Sequence, residues 1–423
     1  MSRTLDVYLH RDLVGQLIQD ENGQLAFYYA ESWLNNPKAV PLSHSLLLRK
    51  EKFSRNECRG FFAGILPDES KREIIAKNLG ISARNDVAML EQIGGECAGA
   101  VTFIPTGEKR LERNYSYRQL IGAKLSEILK MLPRRPLMAG EDGIRLSLAG
   151  AQDKIAVYVH DGQISVPLGG APSTHILKPA IEHFEGIVFN EAFCMKLAHT
   201  IGLQTAKVEL GKVEEIDYLL IERYDRIEFK DASDVGYLER QHQEDFCQAL
   251  GIIPENKYQN EGGPSLKQCF DLVRELSSTP VIDLQGLLDA VIFNFLIGNH
   301  DAHGKNFSLL YGDGTRLAPL YDVLSTAYYP DLAKKMAMKI GGTYESDKVA
   351  SKNFDQLADE TGLTKPMVKR RVRELAETVL LKAPELITGH PTTKTVATLI
   401  QARCTRTLTA FGFPNPAVRS ANG

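Results

Sequence analysis

Four polar side chains fall within six consecutive positions of the stretch GNHDAHGKNFSLL, residues 298–310: Asp301, His303, Lys305 and Asn306. Asp301 and Asn306 are five apart, and Asp322, in APLYDVLS, lies sixteen residues beyond Asn306. An amide oxygen and a carboxylate oxygen can hold magnesium against nucleotide phosphates, because a hard cation prefers oxygen ligands. The remaining carboxylate, Asp301, can orient or deprotonate a hydroxyl that attacks a γ-phosphate. Asp-x-x-x-x-Asn followed by a second Asp is the layout of a kinase catalytic loop. Taken alone, the spacing also arises from a helix-capping Asp and a turn Asn. His303 can contact a nucleotide or simply brace the loop.

A kinase also needs a strand-borne lysine for the phosphates and a helical glutamate to position it. THILKP puts Lys178 at a strand end, and Glu191 opens the next expected helix thirteen residues on. Singly, Lys178 reads as a solvated lysine and Glu191 as a first-turn acid favoured by the helix dipole. Their order and spacing carry the signal. LSLAGAQDK, residues 146–154, precedes the lysine strand. Its small residues Ala149, Gly150 and Ala151, followed by Gln152, can lay backbone N–H groups over phosphates. It is not G-x-G-x-x-G, and the chain has no Walker A motif. LLIERYDR supplies Glu222 and Tyr224 where a hinge between lobes would run.

The elements that must position these groups show in the periodicity. LDVYLHRDLVGQLIQDENGQLAFYYAESWL reads as three strands with a hairpin at Asn22-Gly23. GILPDESKREIIAKNLGI reads as a helix entered through Pro67, Asp68 and Glu69 and ended by Gly80. CAGAVTFIP is another strand, and the polar TGEKRLERNYSYRQ suggests a linker near residue 106. KIAVYVH, QISVP, THILKP and AKVELGKVEEIDYLLIERYDR are strand-like. FNEAFCMKLAHTIGL has Phe189, Phe193, Leu197 and Ile201 on one helical face, closed by Gly202. Beyond 240 the pattern is mostly helical, and the stripe of DLQGLLDAVIFNFLIGN runs straight into the polar stretch at 298–310. A β-rich half and a helical half fit two lobes with a cleft.

The bulk numbers exclude little and fit this picture. The 423 residues carry a net charge of −3, which favours neither nucleic acid nor an anionic membrane. No run approaches eighteen apolar residues, and the start, MSRTLDVYLH, lacks a signal peptide's apolar core. The six cysteines form no CxxC pair, so they read as reduced thiols of a cytoplasmic protein.

In order along the chain, LSLAGAQDK, THILKP, NEAFC, IERYDR, QEDFCQALGI, KYQNEGGPS, GNHDAHGKNFS and PLYDVLS resemble HipA, the bacterial serine/threonine-kinase toxins of HipA–HipB toxin–antitoxin pairs. The resemblance runs from about residue 5 to beyond 400, and it departs from the familiar pattern at Gly304, where Ala is usual. It implies an α+β, two-lobed protein-kinase-like fold, related to phosphoinositide kinases. A β-rich N-terminal subdomain (1–106) would precede a small lobe (107–240) and an all-helical large lobe (241–423). It implies that Asp301 is the catalytic base and that Asn306 and Asp322 hold magnesium. Lys178 would contact ATP phosphates, Glu222 and Tyr224 would flank adenine, and Ser147 would be autophosphorylated. The substrate implied is glutamyl-tRNA synthetase or a related synthetase. The partner implied is a small HipB-like helix-turn-helix antitoxin, through which alone operator DNA is bound.

Two other readings compete. Asp-x-His-x-x-Asn also resembles phosphoinositide-kinase loops, so a lipid or small-molecule acceptor is one alternative. LADETGLTKPMVKRRVREL, residues 357–375, can be a DNA-reading helix pair through Lys365, Lys369, Arg370, Arg371 and Arg373, or two packed helices with a solvated basic face.

Overall fold

A computed structural model describes residues 2–108, 115–230 and 236–413. The chain forms two compact units. The first comprises Met1–Pro179, Gly211–Asn256 and Leu309–Asp313; the second comprises Ala180–Leu210, Lys257–Ser308 and Gly314–Gly423.

The first unit opens with strands β1 (Arg3–Leu9), β2 (Asp12–Gln19), β3 (Leu25–Tyr29), β4 (Phe53–Ser54) and β5 (Val101–Pro105), in the order β4-β3-β2-β1-β5. Leu5, Val7 and Leu9 of β1 are buried at every second position, the pleat of a sheet with one face on a core. The expected hairpin forms: the Asp20 carboxylate accepts from the amides of Asn22 and Gln24 at 2.9 and 2.8 Å, and Gly23 takes φ 78°. The helix Arg55–Gly64 packs Phe62 against Phe27 and Phe103, with ring centroids 5.1 and 5.9 Å apart. The helix Glu69–Leu79 stops at Gly80 in the left-handed region, as its sequence predicts.

A second sheet in this unit joins β6 (Ser116–Gln119), β7 (Ile155–His160), β8 (Gln163–Leu168), β9 (His175–Pro179), β10 (Val208–Val213) and β11 (Ile216–Glu222), in the order β10-β11-β9-β7-β8-β6. β9 and β11 run antiparallel, with Lys178 opposite Leu219 and Glu222 opposite His175. β6 falls in the second half of the expected linker, and residues 109–114 of that linker lie outside the described residues.

Between the strands lies a buried knot of charge. Glu96 is fully buried and accepts from Arg226 at 2.8 Å, Arg240 at 2.7 Å and Arg223 at 3.3 Å. Asp225 accepts from Arg223 at 2.8 Å and from the Gly99 amide at 2.7 Å. Burial alone would raise the Glu96 carboxyl; the guanidiniums, Arg226 foremost, overcome that and hold it at about 2.

The second unit is helix-rich: Ile187–Thr200, Leu266–Leu276, Pro280–Ile297, Ser351–Thr361, Lys365–Lys382 and Pro391–Ala410. Ile187–Thr200 is not the one-faced helix its sequence suggests. Asn190, Glu191, Cys194 and Met195 are buried along with Phe193 and Leu197, so it is enclosed on most sides. The expectation of an all-helical lobe is also corrected. Lys335–Ile340 and Thr343–Glu345 form a hairpin over Gly341-Gly342, whose φ of 49° and 85° suit the tight turn of a two-residue β-hairpin. A Cβ on Gly341 would lie 2.0 Å from the Asn353 carbonyl oxygen.

Among the described residues one helix, Pro280–Ile297, is long and apolar enough to cross a membrane by length and composition. It is 67% buried within the protein and carries Asp283, held by Arg316, and Asp289, held by Arg371. The basic stretch 357–375 folds as two packed helices. Lys365 pairs with Asp359, Lys369 with Asp355, Arg370 with Glu374, Arg371 with Asp289 and Arg373 with Glu377. Internal acids thus engage the cations that a DNA reader would present, which favours the packed-helix reading.

Glu96→Gln should leave three buried guanidiniums with one carboxylate among them, and urea unfolding at pH 7 should show a loss of about 3–5 kcal/mol. Because the folded Glu96 carboxyl is held down, its contribution is present above the unfolded value of 4.5 and fades as pH falls toward about 2. The variant should lack that part of the acid sensitivity; equal stability of both proteins at pH 7 would show that the knot is not stabilising.

Candidate active site

The helix Pro280–Ile297 ends at Gly298, φ 75°, a left-handed position that suits glycine, where the apolar stripe of the sequence meets the polar stretch. The chain then turns back on the helix: the Asn299 amide donates to the Asn294 carbonyl at 2.9 Å, and its side chain donates to Asn294 Oδ1 at 2.8 Å. The His300 amide donates to Thr326 Oγ1 at 2.8 Å, and Thr326 Oγ1 donates to the Gly298 carbonyl at 3.1 Å. The His300 ring lies between Ser346 Oγ at 3.0 Å and the Ala333 carbonyl at 3.3 Å. Burial, with the Arg403 charge nearby, lowers its pKa and favours the neutral ring.

This anchoring leaves the Asp301 side chain exposed, where a reacting group can reach it. Its carboxylate accepts from the Tyr258 hydroxyl at 2.7 Å. His303 is buried, with its ring edge-on to Tyr258 at 5.3 Å, and its amide donates to Asn306 Oδ1 at 3.1 Å. His303 thus braces the loop. Asn306 Nδ2 donates to Asp322 Oδ2 at 3.2 Å, so the amide and carboxylate separated by sixteen residues are side by side.

Asp322 sits at φ 57°, a left-handed conformation costly for a residue with a Cβ. Its neighbours are fastened. The Tyr321 hydroxyl donates to the Lys305 carbonyl at 2.8 Å, and the Asn190 side chain exchanges two hydrogen bonds with the Ser325 backbone, each 2.9 Å. Among the described residues no cluster of three or more His, Cys, Asp or Glu could hold a metal. Two hard oxygen ligands do fit a magnesium ion whose remaining ligands are phosphate and water.

Glu191 is the fifth residue of its helix and is fully buried. It is therefore not the solvated first-turn acid that the sequence left open.

The remaining predicted residues lie in the first unit. Lys178 is buried on β9. Glu222 is exposed at the end of β11, and Tyr224 is half-buried with its hydroxyl bonded to Gln243 Oε1. Gly150 takes φ 105°, and its neighbour's carbonyl, Ala149, accepts from Lys154 Nζ at 2.7 Å. Ala151 is exposed; Gln152 has a buried side-chain nitrogen with no partner among the described residues, a donor available to an anion. Ser147 is fully buried, with its amide donating to the Glu96 carbonyl at 2.9 Å and its hydroxyl to the Ile65 carbonyl at 3.0 Å.

Sequence reasoning passed over Tyr258, Asn190, His300 and Thr326. Tyr258 and Asn190 stand inside KYQNEGGPS and NEAFC, but nothing local to those blocks reveals their partners.

Comparison with known proteins matches residues 5–104 to the HipA N-terminal domain and residues 146–383 to the HipA-like C-terminal domain. Y4mE of Sinorhizobium fredii, provisionally named a kinase, is 48% identical over 89% of this chain and 90% of its own. The serine/threonine-protein kinase toxin HipA of Shewanella oneidensis is 28% identical over 90% of each chain. The solved complex of Shewanella oneidensis HipA with HipB and operator DNA superposes with a TM-score of 0.82 at 26% identity, covering 97% of this chain and 98% of that one. The chain thus has a mixed α/β fold that matches HipA, and it belongs to the HipA-like family of kinase toxins.

Proposed function

We propose that this chain is an ATP-dependent serine/threonine-protein kinase. The observation that carries the reading is the Asn306–Asp322 contact in the same loop system that presents the exposed Asp301. In this reading the β-rich subdomain is 1–106, the small lobe 107–240 and the large lobe 241–423. Asn306 and Asp322 hold magnesium, which when bound neutralises charge on the β- and γ-phosphates. Lys178 adds a buried positive charge for the phosphates. The Gly150 and Ala151 amides and the Gln152 side chain donate to phosphate oxygens, while Glu222 and Tyr224 flank adenine.

Asp301 accepts the proton of the acceptor serine or threonine hydroxyl as its oxygen bonds to the γ-phosphorus. The bond from that phosphorus to the β–γ bridging oxygen breaks, and ADP leaves. Tyr258, donating to Asp301, keeps the carboxylate turned toward the acceptor. His303 supports this loop from behind.

The family reading extends to a toxin that acts in the cytoplasm by phosphorylating glutamyl-tRNA synthetase or a related synthetase, arresting translation and promoting persistence. A HipB-like helix-turn-helix antitoxin neutralises it, and operator DNA is met only through that complex. The relative solved with HipB and operator DNA supports this partner.

Asp301→Asn should lower phosphoryl transfer by about 3–5 kcal/mol of barrier, several orders of magnitude in rate, with ATP affinity nearly intact. Transfer at the wild-type rate in a γ-phosphate labelling assay would remove Asp301 from the base role.

Asp322→Ala should weaken magnesium-dependent ATP binding in calorimetry. Asp322→Asn, which tolerates the left-handed backbone, should share this loss and keep more stability than the Ala variant. Unchanged metal-dependent affinity in both would place Asp322 outside the site.

Autophosphorylation at Ser147 would first require its segment to leave the Ile65 carbonyl. The phosphoryl group, with nearly two negative charges, could not return beside that carbonyl, and it would repel a bound triphosphate by several kcal/mol at an effective dielectric of ~20. The phosphorylated protein, isolated after incubation with magnesium and ATP and verified by mass spectrometry, should therefore bind ATP poorly. Undiminished affinity of the phosphorylated form would contradict this self-limiting switch.

A further inference from the structure

The second unit contains a cavity of about 790 Å³ with two of the loop anchors, His300 and Thr326, in its wall. Four cations line it, Lys334, Lys394, Arg403 and Arg406, against one carboxylate, Asp347. Arg406 already engages that carboxylate at 2.7 Å. Arg403 makes no ion pair among the described residues. It donates to the carbonyls of Phe295 at 2.8 Å and Leu296 at 3.2 Å, at the end of the helix Pro280–Ile297. Burial foremost, and then Arg406, lower its pKa to about 10, so it is a desolvated cation whose neighbouring carboxylate, Asp347, is already paired with Arg406. Lys334 and Lys394 are exposed at the rim. Leu332, Ala333, Leu399 and Ala402 give the rest of the wall an apolar character.

A cavity with excess positive charge and apolar walls is complementary to a small anion with an apolar body. Its volume lies in the range that holds such a molecule. We infer that this cavity is a binding site for a small organic anion, a carboxylate or a phosphate monoester, and that its occupant biases the catalytic loop. The route is short. Arg403 Nε lies 3.0 Å from where a Gly298 Cβ would stand, Gly298 accepts from Thr326, and Thr326 holds the amide of His300, which immediately precedes Asp301. The effect on phosphoryl transfer rests on the proposed kinase reading; binding itself does not.

Calorimetry on the full chain, saturated with magnesium and a non-hydrolysable ATP analogue, tests binding with three probes: phenyl phosphate, hexanoate and inorganic phosphate. At least one organic probe should bind at least tenfold more tightly than inorganic phosphate, and the pair shows whether the site prefers phosphate or carboxylate. Lys334→Glu combined with Lys394→Glu, both at exposed positions, should weaken the bound probe at least tenfold. Thr398→Trp, which fills the cavity from an exposed helix position, should abolish binding. Absence of binding at millimolar concentration, equal affinity in the variants, or inorganic phosphate binding as well as the organic anions would overturn the inference. Binding seen only without the nucleotide analogue would also overturn it, by placing the probe in the nucleotide site. These readouts do not depend on activity, so failure of the kinase reading leaves the binding result interpretable.

Discussion

The candidate site depends on one polar contact, the hydrogen bond from Asn306 to Asp322. Asn306 closes the short 3-10 turn Gly304–Asn306, and Asp322 lies sixteen residues on, outside any helix or strand. Three ties bring them together: the buried bonds of Thr326 to His300 and Gly298 and of Asn190 to Ser325, and the part-buried bond of Tyr321 to Lys305. Buried hydrogen bonds of this kind contribute about 1 kcal/mol each, and leaving a partner unsatisfied costs more. Together they are large enough to hold Asp322 at φ 57°, a conformation that costs roughly 1–2 kcal/mol. Strain retained at such a position, when its surroundings over-determine it, is a mark of functional sites. Here it turns a carboxylate toward an amide beside an exposed acid.

The other unit uses charge for the same purpose. Arg223 and Arg226, three residues apart at one turn, and Arg240 from a later strand meet on Glu96, while Asp225 takes the Gly99 amide. Removing these ions from water is expensive, and only their mutual attraction and dense hydrogen bonding offset the cost. The consequence is positional. The turn that carries Glu222 and Tyr224 is welded to residues 96–99, and Gln243, which donates to Asp225 at 3.0 Å, also meets the Tyr224 hydroxyl. Ser147 depends on the same segment, since its amide is held by the Glu96 carbonyl.

Much of this was legible in the sequence because it is local. The stop at Gly80, the strand bearing Lys178, the Asn22-Gly23 hairpin and the Asp301/Asn306/Asp322 spacing are all written in neighbouring residues. What was not legible depends on partners far along the chain. Tyr258 reaches Asp301 across 43 residues, and Asn190 reaches Ser325 across 135. The segment around Ser147 reads as a phosphate-covering loop from its Ala and Gly content, yet Ser147 is buried because Ile65 and Glu96 supply its partners. Gly341-Gly342 is different: a two-residue hairpin signal was present locally, but the surrounding helical pattern obscured it.

The most direct test of the central claim is a crystal structure of the full-length chain with magnesium and a non-hydrolysable ATP analogue. The account predicts a metal bound by both Asn306 Oδ1 and the Asp322 carboxylate and in contact with nucleotide phosphate oxygens, with the Asp301 carboxylate left free to face the acceptor. A bound nucleotide whose metal touches neither Asn306 nor Asp322, or a metal held by Asp301 in their place, would contradict it.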